Sequence, residues 1–327
     1  KINNSSIEII PRDTKSNPTD TLKAAKELGE LGIKIIIGPV FNENQVYLDE
    51  LKKITFISLT NKGENKSKNI INAGINATSQ LRGIQKFIEL NEIKKTIFLI
   101  PDVDYKIEIE KAIDLSKIKI LSNYIYNTDP TKLTNQIEKI TNYKRRKQNL
   151  EDEITRLEKS NQNDKEKLIE RLKKRDTLGS VKFDSIIIAD FDESLKSVTT
   201  SLLYTDISPK KKYFITLNQW FDKSLLREAS SQPLYFPSIN KKNYEDFSLE
   251  YLNKFDQHPN QLSFLSFDLV GLVYYLILQN NLIVDEKIFT KKNLFKGKVG
   301  IFEIKNNKIN HILNFYKVED GEFKKIF

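Results

Sequence analysis

Short apolar runs rich in β-branched residues recur along this chain, and helical stretches separate them. The runs are IKIIIGP (33–39), ITFISLT (54–60), TIFLIP (96–101), KIKILSNYIY (117–126), SIIIAD (185–190) and YFITLNQW (213–220). Most are too short for a buried helix and apolar on both faces, as strands inside a parallel sheet are. SIEIIPRDT (6–14) reads as one more short strand. Between them, PTDTLKAAKELGELG (18–32) places Leu22, Ala25, Leu28 and Leu31 at helical spacing, with Thr19 or Asp20 as caps. ENQVYLDELKK (43–53), TSQLRGIQKFIELN (78–91), YKIEIEKAIDLS (105–116) and a segment opened by Asp129-Pro130 that runs to Gln148 read as further helices. Strand–helix–strand units of this kind build parallel sheets with right-handed crossovers. With 327 residues, more than one core usually covers, two α/β lobes are expected.

Four of the runs break abruptly into polar residues: GPVFNEN (38–44), SLTNK (58–62), IPDVDY (100–105) and IADFDES (188–194). In open α/β sheets, ligands bind beyond the carboxyl ends of the strands, so these ends are where a binding site belongs. None has phosphate-loop chemistry. The glycine spacing and the Lys-Ser/Thr pair are missing, and Pro39 removes a backbone donor that a phosphate cradle needs.

Missing residues narrow the function further. There is no Cys, which excludes disulfides, thiol catalysis and thiolate metal sites. There is no Met either, not even at position 1, so the chain reads as trimmed. The only two His, His258 in a loop and His311 in an alternating terminal strand, read as structural. No serine-hydrolase elbow or paired-His zinc motif exists, and the carboxylates of DVD (102–104) and DFDES (190–194) sit where strand ends and helix N-termini are acidic anyway. The expectation is a protein that is not an enzyme and has no cofactor or metal. FLSFDLVGLVYYLILQNN (264–281) is interrupted by Asp268 and Gly271 and reads as a buried core helix.

The net charge of +9 invites a nucleic-acid reading, but Lys alternates with Glu along most helices, and Lys, Ile and Asn enrichment follows from AT-rich coding. No nucleic-acid partner is expected. Part of the charge sits in 143–176, which has twelve Lys/Arg against eight Asp/Glu. There Leu150, Ile154 and Leu157 form one helical stripe, Leu168 and Leu172 another, and SNQND (160–164) breaks them, so the segment reads as an antiparallel helical hairpin. It is either a solvated excursion or a docking arm for another protein.

In order along the chain, IKIIIGPVFNEN, ITFISLTNKGEN, INAGINATSQLRGIQKFI, IFLIPDVDY, FDSIIIADFDES and FKGKVGIFEIKNNKI resemble the type I periplasmic binding proteins of the leucine-binding class. Phe295–Gly300 is similar to that family's turn before its last strands, and INAGINATSQ (71–80) to its first passage between lobes. Within the family, the charged insertion, DTLGSVKFDSIII (176–188) and SLLYTDISPKKKYFITLNQW (201–220) resemble the penicillin-binding protein activators, the LppC-like lipoproteins.

The resemblance implies a two-lobed fold, each lobe a parallel sheet flanked by helices. The first lobe would be 1–73 with 238–304, the second 76–237 with 305–327, and the insertion 143–176 would belong to the second. It implies a periplasmic, lipid-anchored protein that binds rather than catalyses, with hinge closure. The role would be regulation of cell-wall synthesis through a synthase or, in the sister branch, solute capture for an amino-acid transporter. The ligand expected in the inter-lobe cleft is an amino acid, peptide or peptidoglycan fragment, and membrane contact is expected only through a lipid anchor outside this chain. The family's ligand positions fall here on Asn42, Glu43 and Asn44; on Leu59, Thr60 and Asn61; and on Tyr105, Asp190 and Asn218, with Trp220 nearby. Two departures stand out. The family opens with one more strand and helix, ending in a Pro-Leu-Ser-Gly-like turn, before the point that matches the start here. Glu43 would also repel an α-carboxylate, whereas Asp190, where an aromatic is common, would suit an amine.

Overall fold

The computed structural model describes residues 8–63, 67–298 and 300–327. In chain order its first elements are α1 (Pro18–Glu30), β1 (Ile35–Ile37), β2 (Thr55–Ser58), β3 (Ile70–Asn72), α2 (Ala77–Leu90), β4 (Thr96–Pro101), α3 (Lys106–Leu115) and β5 (Ile120–Tyr126). Next come α4 (Pro130–Ile140), α5 (Tyr143–Glu158), α6 (Lys165–Lys173), β6 (Ser185–Ile188), α7 (Asp192–Tyr204), β7 (Tyr213–Thr216) and β8 (Leu234–Ser238). The chain ends with α8 (Lys241–Phe255), α9 (Gln261–Gln279), β9 (Asn293–Lys296), β10 (Ile301–Lys305), β11 (Lys308–His311), β12 (Asn314–Glu319) and β13 (Glu322–Lys325). Two compact units result, Lys1–Ser79 with Ile239–Ile312 and Gln80–Ser238 with Leu313–Phe327.

In unit 1, β1, β2 and β3 form a parallel sheet in which Ile36 lies opposite Phe56 and Ile57 opposite Ile71. Ala25, Leu48, Ile54, Phe56 and Ile70 make a core on this sheet, joined by Leu22, Ile36 and Leu51. Each such side chain moved fully out of water stabilises by about 1.5–3 kcal/mol. A second, antiparallel sheet has the order β11-β10-β9. Helix α9 is long and apolar enough to cross a membrane by length and composition alone. Its central Asp268 is buried and accepts the backbone N–H groups of Lys298 and Gly300, both at 2.7 Å. A Cβ on Gly297 would lie 2.4 Å from that carboxylate, so the FKGKVG turn needs glycine there because α9 is bonded so closely to it.

Unit 2 is built on a seven-stranded sheet of order β13-β12-β8-β7-β6-β4-β5. Strands β5, β4, β6, β7 and β8 run parallel, and β12 and β13 are antiparallel additions. All four residues of β6 and all six of β4 are buried; their polar first residues, Ser185 and Thr96, bond each other at 2.8 Å and the rest are apolar. Ring stacking fills one end of the core: Phe87 lies 4.6 Å from Phe315 and 4.8 Å from Tyr235.

Several expectations needed revision. Residues 8–14 form no strand, and Ile9 is two-thirds exposed; among the described residues no strand pairs with them, and an unpaired strand is not stable alone. Ser6 and Ile7 of that expected strand lie outside the described residues. The stretch 43–53 is not a helix but two 3-10 turns, Asn42–Gln45 and Leu48–Glu50, interrupted by Tyr47 in the left-handed region at φ 70°. The cap of α1 is Asn17, whose side-chain oxygen accepts the Asp20 N–H at 2.8 Å, rather than Thr19 or Asp20. The helix opened by Asp129-Pro130 stops at Ile140, because Asn142 adopts φ 51°. The last passage between units falls after Ile312, not after Ile304, because β11 pairs with β10 along Phe302–Lys305 and stays in unit 1.

The hairpin is present as α5 and α6, with Leu150 and Leu157 buried, Ile154 half-buried, and no buried residue on α6. Its anchor is Arg146, a buried guanidinium that donates to Thr141 O at 3.0 Å, Thr177 Oγ1 at 2.9 Å and Thr205 O. Thr177 passes a further bond to Asp206 at 2.6 Å.

Candidate functional site

The polar strand ends of unit 2 converge on Asp190, the second residue after β6. Its carboxylate is buried and lacks a cationic partner among the described residues. Four donors satisfy it. Phe191 N–H (2.9 Å) and Tyr105 Oη (3.3 Å) bond Oδ1, and Ser194 Oγ (2.5 Å) and the Tyr126 hydroxyl bond Oδ2. A carboxylate accepts about four hydrogen bonds, so this one is saturated by its own protein. Burial, reinforced by the Asp190 charge, drives both tyrosine hydroxyls far above the usual phenol range, and they remain donors at any physiological pH. The Asp190 carbonyl accepts Thr216 Oγ1 at 3.2 Å and Gln219 Nε2 at 3.1 Å, which locks the end of β6 to the end of β7.

Asn218, just beyond β7, is also buried. Its N–H donates to Gln80 Oε1 at 2.8 Å, and its Oδ1 accepts the Trp220 N–H at 3.0 Å and Ser238 Oγ at 2.8 Å. A backbone N–H can only donate, so the amide orientation is fixed and Nδ2 points the other way. Among the described residues that buried Nδ2 has no partner. Trp220 is half-buried with φ 48°.

In unit 1, Asn42 and Glu43 are exposed on the first 3-10 turn, whereas Asn44 is buried with its Oδ1 unpartnered among the described residues. Gln45 Nε2 bonds Asn72 Oδ1 at 2.9 Å. Leu59 and Thr60 are buried and Asn61 is exposed. Thr60 accepts the Gly74 N–H on its carbonyl at 3.0 Å, and a Cβ on Gly74 would come within 2.5 Å of that oxygen. Its hydroxyl accepts Lys62 N–H at 3.3 Å and keeps its own proton to donate.

Within unit 1, therefore, Asn42–Asn44 and Leu59–Asn61 follow the carboxyl ends of β1 and β2, and within unit 2 Tyr105, Asp190 and Asn218 follow those of β4, β6 and β7. Sequence reasoning missed Tyr126, Ser194, Gln219 and Gln80; only the i,i+4 spacing of Asp190 and Ser194 at a helix start hinted at one of them. The DVD carboxylates are exposed, with Asp102 paired to Lys106 at 2.6 Å, and among the described residues no cluster of His, Asp and Glu suits a metal ion. His311 is fully buried in unit 1: its Nε2–H donates to Ala73 O at 2.7 Å, and burial pushes its pKa down to about 4. His258 is exposed.

Among solved structures, the C-domain of LpoA from Haemophilus influenzae, a regulator of PBP1A, superposes with a TM-score of 0.61 at 13% identity, over 99% of this chain and 91% of that one. This chain has the type I periplasmic binding protein fold. The same fold is matched in an ABC transporter substrate-binding protein from Desulfitobacterium hafniense in complex with Leu (TM-score 0.59, 12% identity, 98% and 88% covered). It is matched again in LivJ from Streptococcus pneumoniae in complex with isoleucine (0.53, 14%, 98% and 87%). Structures of this fold thus include amino-acid complexes and a regulator of PBP1A. No protein-family model matches the sequence, and no curated protein does.

Proposed function

We propose that this chain is a non-enzymatic binding protein of the periplasm that regulates a cell-wall synthase, in the manner of the penicillin-binding protein activators. One observation carries this reading against a free amino-acid receptor: the Asp190 carboxylate is saturated by Tyr105, Tyr126, Ser194 and Phe191. A ligand ammonium would have to displace donors already in place, and Glu43 stands exposed where a ligand carboxylate is expected. The fold shared with LpoA and the firmly rooted α5–α6 hairpin support the same reading. The hairpin tip is the contact we assign to the partner.

The test is binding of a purified bifunctional peptidoglycan synthase to the intact chain and to a variant in which residues 151–173 are replaced by a short turn, keeping Arg146 and Thr177. Binding by the intact chain and its loss in the trimmed one are expected. Equal binding by both, or no binding by either, overturns the proposal.

A second reading, solute capture for a transporter, is favoured by the buried, unpartnered Asn44 Oδ1 and Asn218 Nδ2, both at ligand positions of the family. It requires Thr60→Ala and Asn218→Ala to weaken the same ligand.

A further inference from the structure

Five strands of unit 2 run parallel, so their amino ends lie on one side of the sheet, and the helices that lead back into the strands, α2, α3, α6 and α7, end there too. Exposed lysines lead into the strands: Lys94 and Lys95 before β4, Lys117 and Lys119 before β5. Lys182 stands before β6, and Lys210 and Lys211 before β7. The hairpin leaves and re-enters at the same side, since α4 ends at it and β6 starts from it. The Arg146–Thr205 and Thr177–Asp206 bonds pin the root to the turn after α7. That root adds exposed Lys144, Arg145 and Lys147 from the start of α5, and Lys173, Lys174 and Arg175 from the end of α6. Among the described residues, only Lys144 of these has a carboxylate in reach, Glu138 at 3.8 Å. The other acids on this side are fewer: Glu89, Glu92, Asp114, Glu170, Asp176 and Glu322 are exposed, and Asp184 is held by Lys212. The β12–β13 corner is acidic, but Glu319 and Asp320 are paired with Lys317 and Lys324.

A second feature recurs on the same side. Helices α2, α3 and α7 each end on a large, exposed side chain: Leu90, Leu115 and Tyr204, at 62%, 67% and 56% exposure. Exposed apolar residues also end α8 and follow α1, at Phe255 and Leu31, so the tips count here only together with the lysines around them. Apolar tips set in a field of compact, flexible cations suit the boundary between headgroups and acyl chains, where the tips enter and the ammonium groups meet phosphates. A nucleic-acid surface would call for several aromatic faces open to stacking bases, whereas the two aromatics at the hairpin root, half-buried Tyr143 and exposed Tyr204, pack on each other with ring centroids 5.4 Å apart.

We propose that the amino-end side of the unit 2 sheet, together with the hairpin root, docks onto an anionic phospholipid surface. The contact uses neither the hairpin tip nor the carboxyl ends of the strands, so its failure leaves the proposed function standing, and the reverse holds.

Cosedimentation of the full chain with vesicles tests it. Vesicles of phosphatidylglycerol and phosphatidylethanolamine are expected to bind the chain, and phosphatidylcholine vesicles are not. Binding should fall steeply between about 50 mM and about 500 mM salt. At about fivefold per unit charge at such a surface, the triple variant Lys95→Glu, Arg145→Glu, Lys210→Glu should weaken binding by at least about a hundredfold. Leu90→Ser with Leu115→Ser should weaken it by about tenfold. Lys132→Glu, at the opposite end of the sheet, should leave it unchanged, and Trp220 emission reports that each variant is folded. Equal binding to both vesicle types, indifference to the triple variant, or no vesicle binding at all would overturn the proposal. Salt-sensitive binding of duplex DNA or polyglutamate without vesicle binding would give the face to another polyanion and also overturn it.

Discussion

Replacing Asp190 with Ala separates a structural carboxylate from one held ready for a ligand. The substitution removes an acceptor of four hydrogen bonds and strands the Tyr126 hydroxyl, in a side chain with no exposed surface, and the Ser194 hydroxyl. Each buried donor left unpaired costs about 1–3 kcal/mol, and removing a buried charge returns part of that. A net loss of about 3 kcal/mol is expected in unit 2. Asp190→Asn keeps one acceptor oxygen and the shape, and the hydroxyls can turn to accept from its amide, so about 1 kcal/mol should be lost. The chain's single Trp, Trp220, lies in unit 2, so its fluorescence during urea unfolding follows that unit selectively. At a slope of about 2 kcal/mol per M, the Ala variant should move the midpoint down by about 1.5 M, and the Asn variant by about 0.5 M. An unchanged or raised midpoint for Asp190→Ala would refute the reasoning, because a carboxylate kept ready for a ligand destabilises the unliganded protein and its removal relieves that strain.

Other outcomes follow from the same geometry. Arg146→Met should cost about 3 kcal/mol, since it strands the Thr141 and Thr205 carbonyls, and should speed amide exchange across α5 and α6 relative to the sheet. Gly297→Ala should lower unit 1 stability by about 2–3 kcal/mol, because its Cβ would meet a carboxylate that two backbone amides hold in place; circular dichroism during unfolding measures it. His311 is a base held neutral by burial, so the unfolded chain binds its proton first as pH falls. Its contribution is intact above the ordinary value of 6.5 and is lost on approach to 4, by about 2 kcal/mol at pH 5. His311→Gln should remove that part of the pH dependence, and an unchanged slope would contradict it.

Sequence patterning reaches the sheet but not the site chemistry. β4 and β6 are legible because both faces are buried and all positions but Thr96 and Ser185 are apolar, and α2 and α3 because their periodicity is helical, whereas α7 is not read from the sequence. The 43–53 stretch misleads because Leu48 and Leu51 stand at helical spacing in a run without Gly or Pro, while the left-handed Tyr47 that breaks it is a property of local packing. Arg146 looks like one more cation in KRRK; only the fold shows that this one turns inward to three carbonyl and hydroxyl oxygens. Asp190 looks open to an amine because Tyr126 and Ser194, which close it, come from a strand 64 residues away and from the next helix turn. The lysines before four strands are invisible as a group until the strands are seen to be parallel.

The central claim is that this type I fold works through a partner and not through a free amino acid, and a thermal-shift titration with leucine, isoleucine and the other amino acids tests it most directly. A ligand at a thousand times its Kd adds about 4 kcal/mol to native stability, which is several degrees in Tm for a unit of this size. No shift across the amino acids is the result expected, with Asp190 already saturated from within. A selective shift of several degrees by one amino acid, abolished in Asn218→Ala, would contradict the account and make the chain a solute receptor.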